Sequence, residues 1–227
     1  MTQRAACFSR NIGPIGQDEQ SILARTTAAV IGCGGLGGYV IEHLARMGIG
    51  HLRLADPDVF SISNCNRQLN ALTATLGHNK AEVAARRVAA IHPFCQVTVF
   101  PVDFRQSTVL AKADVVLDCL DDSQTRRDLA QACTAQGIAL VHGSVRGWCG
   151  QVGVQLPGGT LYECLYPQQR PTGSPAVLSA TVGLIASLQA AEALKYILNR
   201  PSQLHNAWMY LDLQYGDMVL HHATPAP

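Results

Sequence analysis

Apolar and polar positions along this chain follow two periods that take turns. TTAAVI (26–31) is a short apolar run leading directly into GCGGLGG. The YVIEHLARMG that follows sets Val40, Ile41, Leu44 and Ala45 at helical spacing, and Gly48 stops the helix. HLRLAD (51–56) predicts a second strand. KAEVAARRVAAI (80–91) puts Ala81, Ala84, Val88 and Ile91 on one helical face, keeps Arg86 and Arg87 off it, and is closed by Pro93. QVTVFPV (96–102) and DVVLDCL (114–120) predict strands, the second being a nearly continuous apolar run of the kind covered on both faces. A helix over 123–136 and a strand over 138–143 continue the series. This alternation predicts an α/β fold with a doubly wound, mainly parallel sheet. After Gly150 the pattern changes. QVGVQLPGG, a Pro/Gly-rich stretch at 167–175, an apolar helix at 176–199 and AWMYLDLQYGDMVLHH predict antiparallel strands added beside that core. One domain over 1–227 is expected, with an N-terminal helical arm at 1–26, an α/β core at 27–150 and an appended region at 151–227.

Composition narrows the picture. Apolar residues make up 48% of the 227 and charged residues 15%, which excludes a disordered chain. Lys plus Arg (17) against Asp plus Glu (16) gives +1, so no bulk field attracts a nucleic acid or an anionic membrane. Any anion must be held by a local cluster. The eight cysteines contain no C-x-x-C, which excludes a sequence-local zinc knuckle. Cys33 and Cys119 sit in or beside apolar runs, as reduced buried thiols of a cytoplasmic protein do. MTQRAACFSR lacks the apolar stretch of a signal peptide. Pro171–Ala191 carries no charge, but Gly183, its Ser, Thr and Gln residues, and the following Glu192 and Lys195 fit a buried helix better than a membrane span.

The chemistry concentrates early. Gly32-Cys33-Gly34-Gly35-Leu36-Gly37 stands between a strand and a helix, where absent side chains let the backbone turn and approach a phosphate at a helix N-terminus. Asp56 ends the next strand, where a carboxylate can accept from ribose hydroxyls. That alone would suit NAD, or a helix start chosen for close packing. Beyond it come Asp58, Asn64, Arg67, Gln68 and Lys80, with two cations and neutral donors suited to a triphosphate rather than a dinucleotide. The plain alternative makes Arg67 a loop cap and Lys80 a solvated helix start.

Taken together, the motifs from Phe8 to about Leu198 resemble the ThiF/MoeB/HesA adenylyltransferases, bacterial relatives of the ubiquitin-activating enzymes. Ser9-Arg10, the Gly32–Gly37 run, Asp56-x-Asp58, Ser63-Asn64-x-x-Arg67-Gln68, Gly77-x-x-Lys80 and Asp118-Cys119-Leu120-Asp121 carry the resemblance, with Arg126, Gly143, Gly150-Gln151 and the Gly183–Lys195 segment. It implies ATP-dependent adenylation of a carboxylate, often the C-terminal glycine of a ubiquitin-like sulfur carrier protein ending in Gly-Gly, as in thiamine or molybdopterin synthesis. It also implies that Asp56 holds the ribose, that Arg67 and Lys80 hold the phosphates and that Asp121 binds Mg²⁺. Arg10 would reach the site of a second subunit in a homodimer, and 151–227 would face the carrier or that subunit. A carboxylate is already ionised at neutral pH, so such a reaction needs no general base. The local alternative makes Asp121 the N-cap of the 123–136 helix, with Asp122 the less favoured neighbour for the metal.

The sequence departs from the family pattern in places. Many members bind zinc through two C-x-x-C pairs. Here Leu161-Tyr162-Glu163-Cys164 keeps one cysteine, so no zinc is expected and Leu161 is expected to make an apolar contact instead. Gln168–Ser179 lacks the crossover-loop cysteine some members use in sulfur transfer, leaving Cys149 and Cys164 as thiols to weigh, each more simply read as inert. His142 reads as a satisfied strand-end histidine, His221 and His222 lack an acidic or Cys partner nearby in sequence, and Tyr196, Trp208 and Tyr210 read as a packing cluster. Other classes stay open at this point: adenylation of a peptide or small-molecule carboxylate, an NAD-dependent oxidoreductase, or a binding protein that keeps the fold.

Overall fold

Alternate residues of β1 (Thr27–Ile31) bury into opposite layers, and this organises the molecule. Ala28 and Val30 join one apolar core, Ala29 and Ile31 the other, and all four are essentially inaccessible. The computed structural model describes residues 3–167 and 176–223. The sheet has eight strands in the order β3-β2-β1-β4-β5-β6-β7-β8. β2 (His51–Ala55), β3 (Gln96–Phe100), β4 (Val115–Asp118) and β5 (Ala139–Arg146) run parallel with β1. β6 (Cys149–Gln155), β7 (Ala207–Asp212) and β8 (Asp217–His222) then add antiparallel strands, as the change of pattern after Gly150 predicts.

The helices α1 (Gln3–Cys7) and α2 (Gln17–Leu23) precede the sheet. α3 (Gly35–Met47), α4 (Lys80–Ile91) and α7 (Ser179–Ile197) cover the face built on Val30, Leu54 and Leu117. α5 (Ser123–Gln136) and α6 (Leu161–Leu165) cover the other, on Ile31, Val116 and Leu140. Each helix supplies its apolar stripe at the spacing legible in the sequence: Val40, Ile41 and Leu44 in α3, Ala81, Ala84 and Val88 in α4. α7 carries the uncharged segment as a buried helix, and no helix of the described residues is long and apolar enough to cross a membrane. Residues 168–175, which hold most of the Pro/Gly-rich stretch and of the cysteine-free crossover, lie outside the described residues.

Leu161 is fully buried in the second core, where it makes the apolar contact expected of it. The rings expected to cluster do not. Tyr196 packs against the first core and contacts His205, Trp208 packs against the second and stacks on His221, and Tyr210 lines the cleft described below. Tyr196 sits on a helix across the sheet from the face that Trp208 and Tyr210 share.

Candidate functional site

β1 is flanked by β2 on one side and β4 on the other, so the chain leaves it in opposite directions and a crevice opens beyond the carboxyl ends of the strands. A cleft of about 1020 Å³ occupies that position. Gly34 and Gly35 lie on its wall at the start of α3, whose first turn has no side-chain cap, leaving N–H groups for an anion. The glycines divide into two jobs. At Gly32 φ is +92° and a Cβ would stand 2.6 Å from the Cys119 carbonyl oxygen, and at Gly37 a Cβ would stand 1.9 Å from the Gly32 oxygen. Those two serve close packing, and Gly37 does not line the cleft. At Gly35 the nearest atom to an added Cβ is Val182 Cγ1 at 3.6 Å, so its bareness serves the cleft.

Asp56 is buried at the end of β2. One oxygen accepts the Cys33 N–H (2.7 Å) and the other the Asp58 N–H (2.9 Å), which fixes the carboxyl between the glycine loop and the next turn. Burial raises its pKa, and the Cys33 N–H and the Lys80 ammonium offset part of that rise. Lys80 opens α4 behind Asn79, whose side chain accepts the Glu82 N–H as an N-cap. Its Nζ pairs with Asp58 at 2.9 Å, so the lysine is a held cation on the cleft wall rather than a solvated one. Arg67 lines the same wall and donates to the Ser63 carbonyl (3.0 Å) and to Asn66 Oδ1 (2.8 Å). Gln68 is also on the wall, and its buried Oε1 has no hydrogen-bond partner among the described residues. An unsatisfied buried acceptor facing a cleft is the kind of group a ligand donor completes.

Asp121 and Asp122 follow β4, and geometry separates them. Asp122 caps α5: its Oδ2 accepts from both the N–H and the hydroxyl of Thr125, at 2.7 Å each. The capping alternative for Asp121 is thereby overturned. Asp121 is exposed on the cleft wall and forms no hydrogen bond or ion pair among the described residues. An unengaged carboxylate on a cleft large enough for a nucleotide fits Mg²⁺, which takes one or two carboxylates and fills its remaining positions with phosphate oxygens and water. Among the described residues no three His, Cys, Asp or Glu side chains gather to hold a metal.

The structure thus brings Gly32, Gly34, Gly35, Asp56, Asp58, Arg67, Gln68, Lys80 and Asp121 to one cleft. Asn64 is buried behind the wall, where its Oδ1 accepts the Ser61 N–H and braces the loop that carries Arg67. Arg10 is exposed on the Ser9–Asn11 turn and lies outside the cleft of its own chain. The far end of the cleft went unassigned from the sequence. β5 runs past the end of β4 and there presents Ser144 and Arg146, opposite Cys149, Gln151 and Tyr210 of β6 and β7. Arg146 is exposed and forms no hydrogen bond or ion pair among the described residues. Cys164 is half-buried on α6.

His142 is fully buried in β5, within 3.2 Å of Asp118, in keeping with a satisfied strand histidine. Burial holds its imidazole below the usual histidine range against the pull of Asp118, so it stays neutral in the fold. As pH falls below about 6.5, the unfolded chain takes up a proton at this position that the folded chain refuses. Stability is therefore expected to be full above that pH and to decline toward the depressed folded pKa, by up to about 1.4 kcal/mol per pH unit from this group. Urea unfolding at pH 7.5, 6.0 and 5.0 should show a flatter dependence for His142→Gln than for the wild type.

Comparison with known proteins agrees with this geometry. The ThiF family model matches residues 8–226. The SAMP-activating enzyme E1 of Haloferax volcanii is 34% identical over 218 residues, covering 90% of this chain and 80% of that protein. The sulfur carrier protein ThiS adenylyltransferase of Escherichia coli is 34% identical over 201 residues, covering 84% and 80%. Among solved structures, E. coli MccB with ATP superposes at a TM-score of 0.80 with 23% identity, over 92% of this chain and 66% of that one, and PaaA at 0.82 with 20% identity, over 98% and 74%. Those two share the fold. Matched along nearly all of its length, and with relatives of similar size at a third identity, this chain belongs to the ThiF family and is an adenylyltransferase.

Proposed function

We propose that the protein uses ATP to adenylate the C-terminal carboxylate of a ubiquitin-like sulfur carrier protein ending in Gly-Gly, releasing pyrophosphate. The observation that carries this reading is the cleft itself: an uncapped helix start, a fixed Asp56, two cations and one unengaged carboxylate lining a single cleft. The relatives named as sulfur carrier adenylyltransferases support the choice of acceptor. In this reading Asp56 accepts from the ribose hydroxyls, and the Gln68 oxygen accepts from another donor of the nucleotide. Arg67 and Lys80 lie against the phosphates, with Asp58 keeping the Lys80 ammonium in place. Asp121 would hold Mg²⁺, whose part when bound is to neutralise phosphate oxygens.

The acceptor carboxylate is already ionised, so the protein's task is to bring two anions together and to steady the charge that moves onto pyrophosphate. Arg146, at the end of the cleft away from Asp56, is placed to meet the incoming carboxylate. Arg10 would complete the cleft of a second copy in a homodimer.

ATP–pyrophosphate exchange tests the reading. Exchange is expected only in the presence of a Gly-Gly carrier, and truncation of the carrier's terminal glycine should abolish it. Calorimetry showing NAD bound more tightly than Mg-ATP would overturn it. The dimer has its own test. Arg10→Ala and Asp121→Asn proteins, each depleted in exchange, should regain part of it on mixing, because a hybrid dimer carries one intact site.

A further inference from the structure

Directly behind the Asp121 loop lies a cluster of polar side chains that the reaction does not use. Asp118 and His142 are wholly inaccessible, and Arg126 and Tyr162 nearly so. Asp118 Oδ2 accepts from the Tyr162 hydroxyl (2.6 Å) and from Arg126 Nη1 (2.9 Å). The same Nη1 donates to the Gly143 carbonyl at 2.8 Å, which ties the cluster to β5. Two further contacts concern a single residue. Asp118 Oδ1 accepts the Leu120 N–H at 3.1 Å, and Arg126 Nη2 donates to the Leu120 carbonyl. Both backbone groups of the residue before Asp121 are therefore held by one buried ion pair.

An ion pair this deep is a poor way to gain stability, because desolvating the two charges offsets most of their attraction. What it does supply is direction: a planar guanidinium fork meets Asp118 and the Leu120 carbonyl at fixed angles. We propose that Arg126 and Asp118 are positioning residues for Asp121, clamping the Leu120 backbone at both its N–H and its carbonyl so that the Asp121 carboxylate stays where metal and phosphates meet. Tyr162 extends the clamp to α6 by satisfying Asp118. The inference rests on the reading of Asp121 as the metal-facing carboxylate.

Arg126→Lys tests it, since an ammonium keeps the charge beside Asp118 and loses the fork. In the free variant, amide exchange at Leu120 is expected to rise about tenfold while the core amides of Leu117 and Val141 keep their protection. The Mg²⁺ concentration that half-saturates binding of α,β-methylene ATP should rise by about 10- to 100-fold, the range typical of groups that orient a metal ligand. A folded Arg126→Lys protein with wild-type exchange at Leu120, or with a wild-type Mg²⁺ requirement, would overturn the proposal. Asp121→Asn separates the two layers of the argument. If it too leaves the Mg²⁺ requirement unchanged, the metal reading of Asp121 fails. If it raises that requirement and Arg126→Lys does not, the clamp alone fails. Should Arg126→Lys not fold, Tyr162→Phe carries the test, because it removes one donor to Asp118 and leaves the ion pair. Exchange at Leu120 about threefold faster then supports the clamp, and unchanged exchange overturns it.

Discussion

Asp121→Asn is expected to lower pyrophosphate exchange by about 10²–10³, the cost of removing one preorganised electrostatic group, with the loss at saturating Mg²⁺ in turnover rather than in ATP affinity. The fold should be unaffected. Asp121 is exposed and makes no hydrogen bond or ion pair among the described residues, and the cap of α5 belongs to Asp122. The neighbouring Asp122→Ala serves as the contrast. It is expected to reduce stability by about 1 kcal/mol through loss of the cap, with turnover per folded molecule little changed. Steady-state exchange together with denaturant melts separates the two. Wild-type turnover in Asp121→Asn would remove that residue from the mechanism.

A second pair of substitutions is expected to divide folding from binding within a single loop. Gly37→Ala places a methyl carbon 1.9 Å from the Gly32 oxygen, a backbone atom that cannot step aside without moving the whole turn. The variant is expected to be recovered largely unfolded, or with a melting temperature many degrees lower, in circular dichroism. Gly35→Ala meets nothing nearer than 3.6 Å and stands at the first position of α3 with no left-handed φ to strain, so its melting temperature should hold. Its methyl stands on the cleft wall, and ATP affinity by calorimetry should fall. A stable Gly37→Ala protein, or a Gly35→Ala protein with unchanged affinity, would show that the two glycines have been given the wrong jobs.

The order of strands and helices is legible in the sequence because each buried element carries its own period, from the unbroken apolar β4 to the stripe of α3. The cleft's first half is legible for another reason. Gly32 to Gly37, Asp56, Arg67 and Lys80 lie within one stretch of chain and have recognisable spacing. The resemblance singles out Asp121 for the metal, but which of Asp121 and Asp122 caps the helix is not legible, since two adjacent carboxylates before a helix offer the same local signal and only the turn geometry assigns the cap. The clamp is less legible still. Asp118 and Tyr162 are 44 residues apart and meet through a contact across layers, which no window along the chain reveals. Asp118 and Arg126 stand out in the sequence as motif residues, but their shared hold on Leu120 appears only once β4 and α5 are in place.

The strand order also sets a timetable for synthesis. β1 hydrogen-bonds to β4, with Ile31 opposite Asp118, only after the chain between them has been made and folded back over β2 and β3. The far wall comes later, for Tyr210 belongs to β7, which pairs with β6 across the whole of α7. A nascent chain released as far as β5 would already own its glycine loop, Asp56, Arg67, Lys80, Asp121 and Arg146, and would still lack Cys149, Gln151 and Tyr210, which face Arg146 from β6 and β7. On the ribosome, nucleotide recognition should therefore mature before acceptor recognition, at the pace of the last strands to emerge.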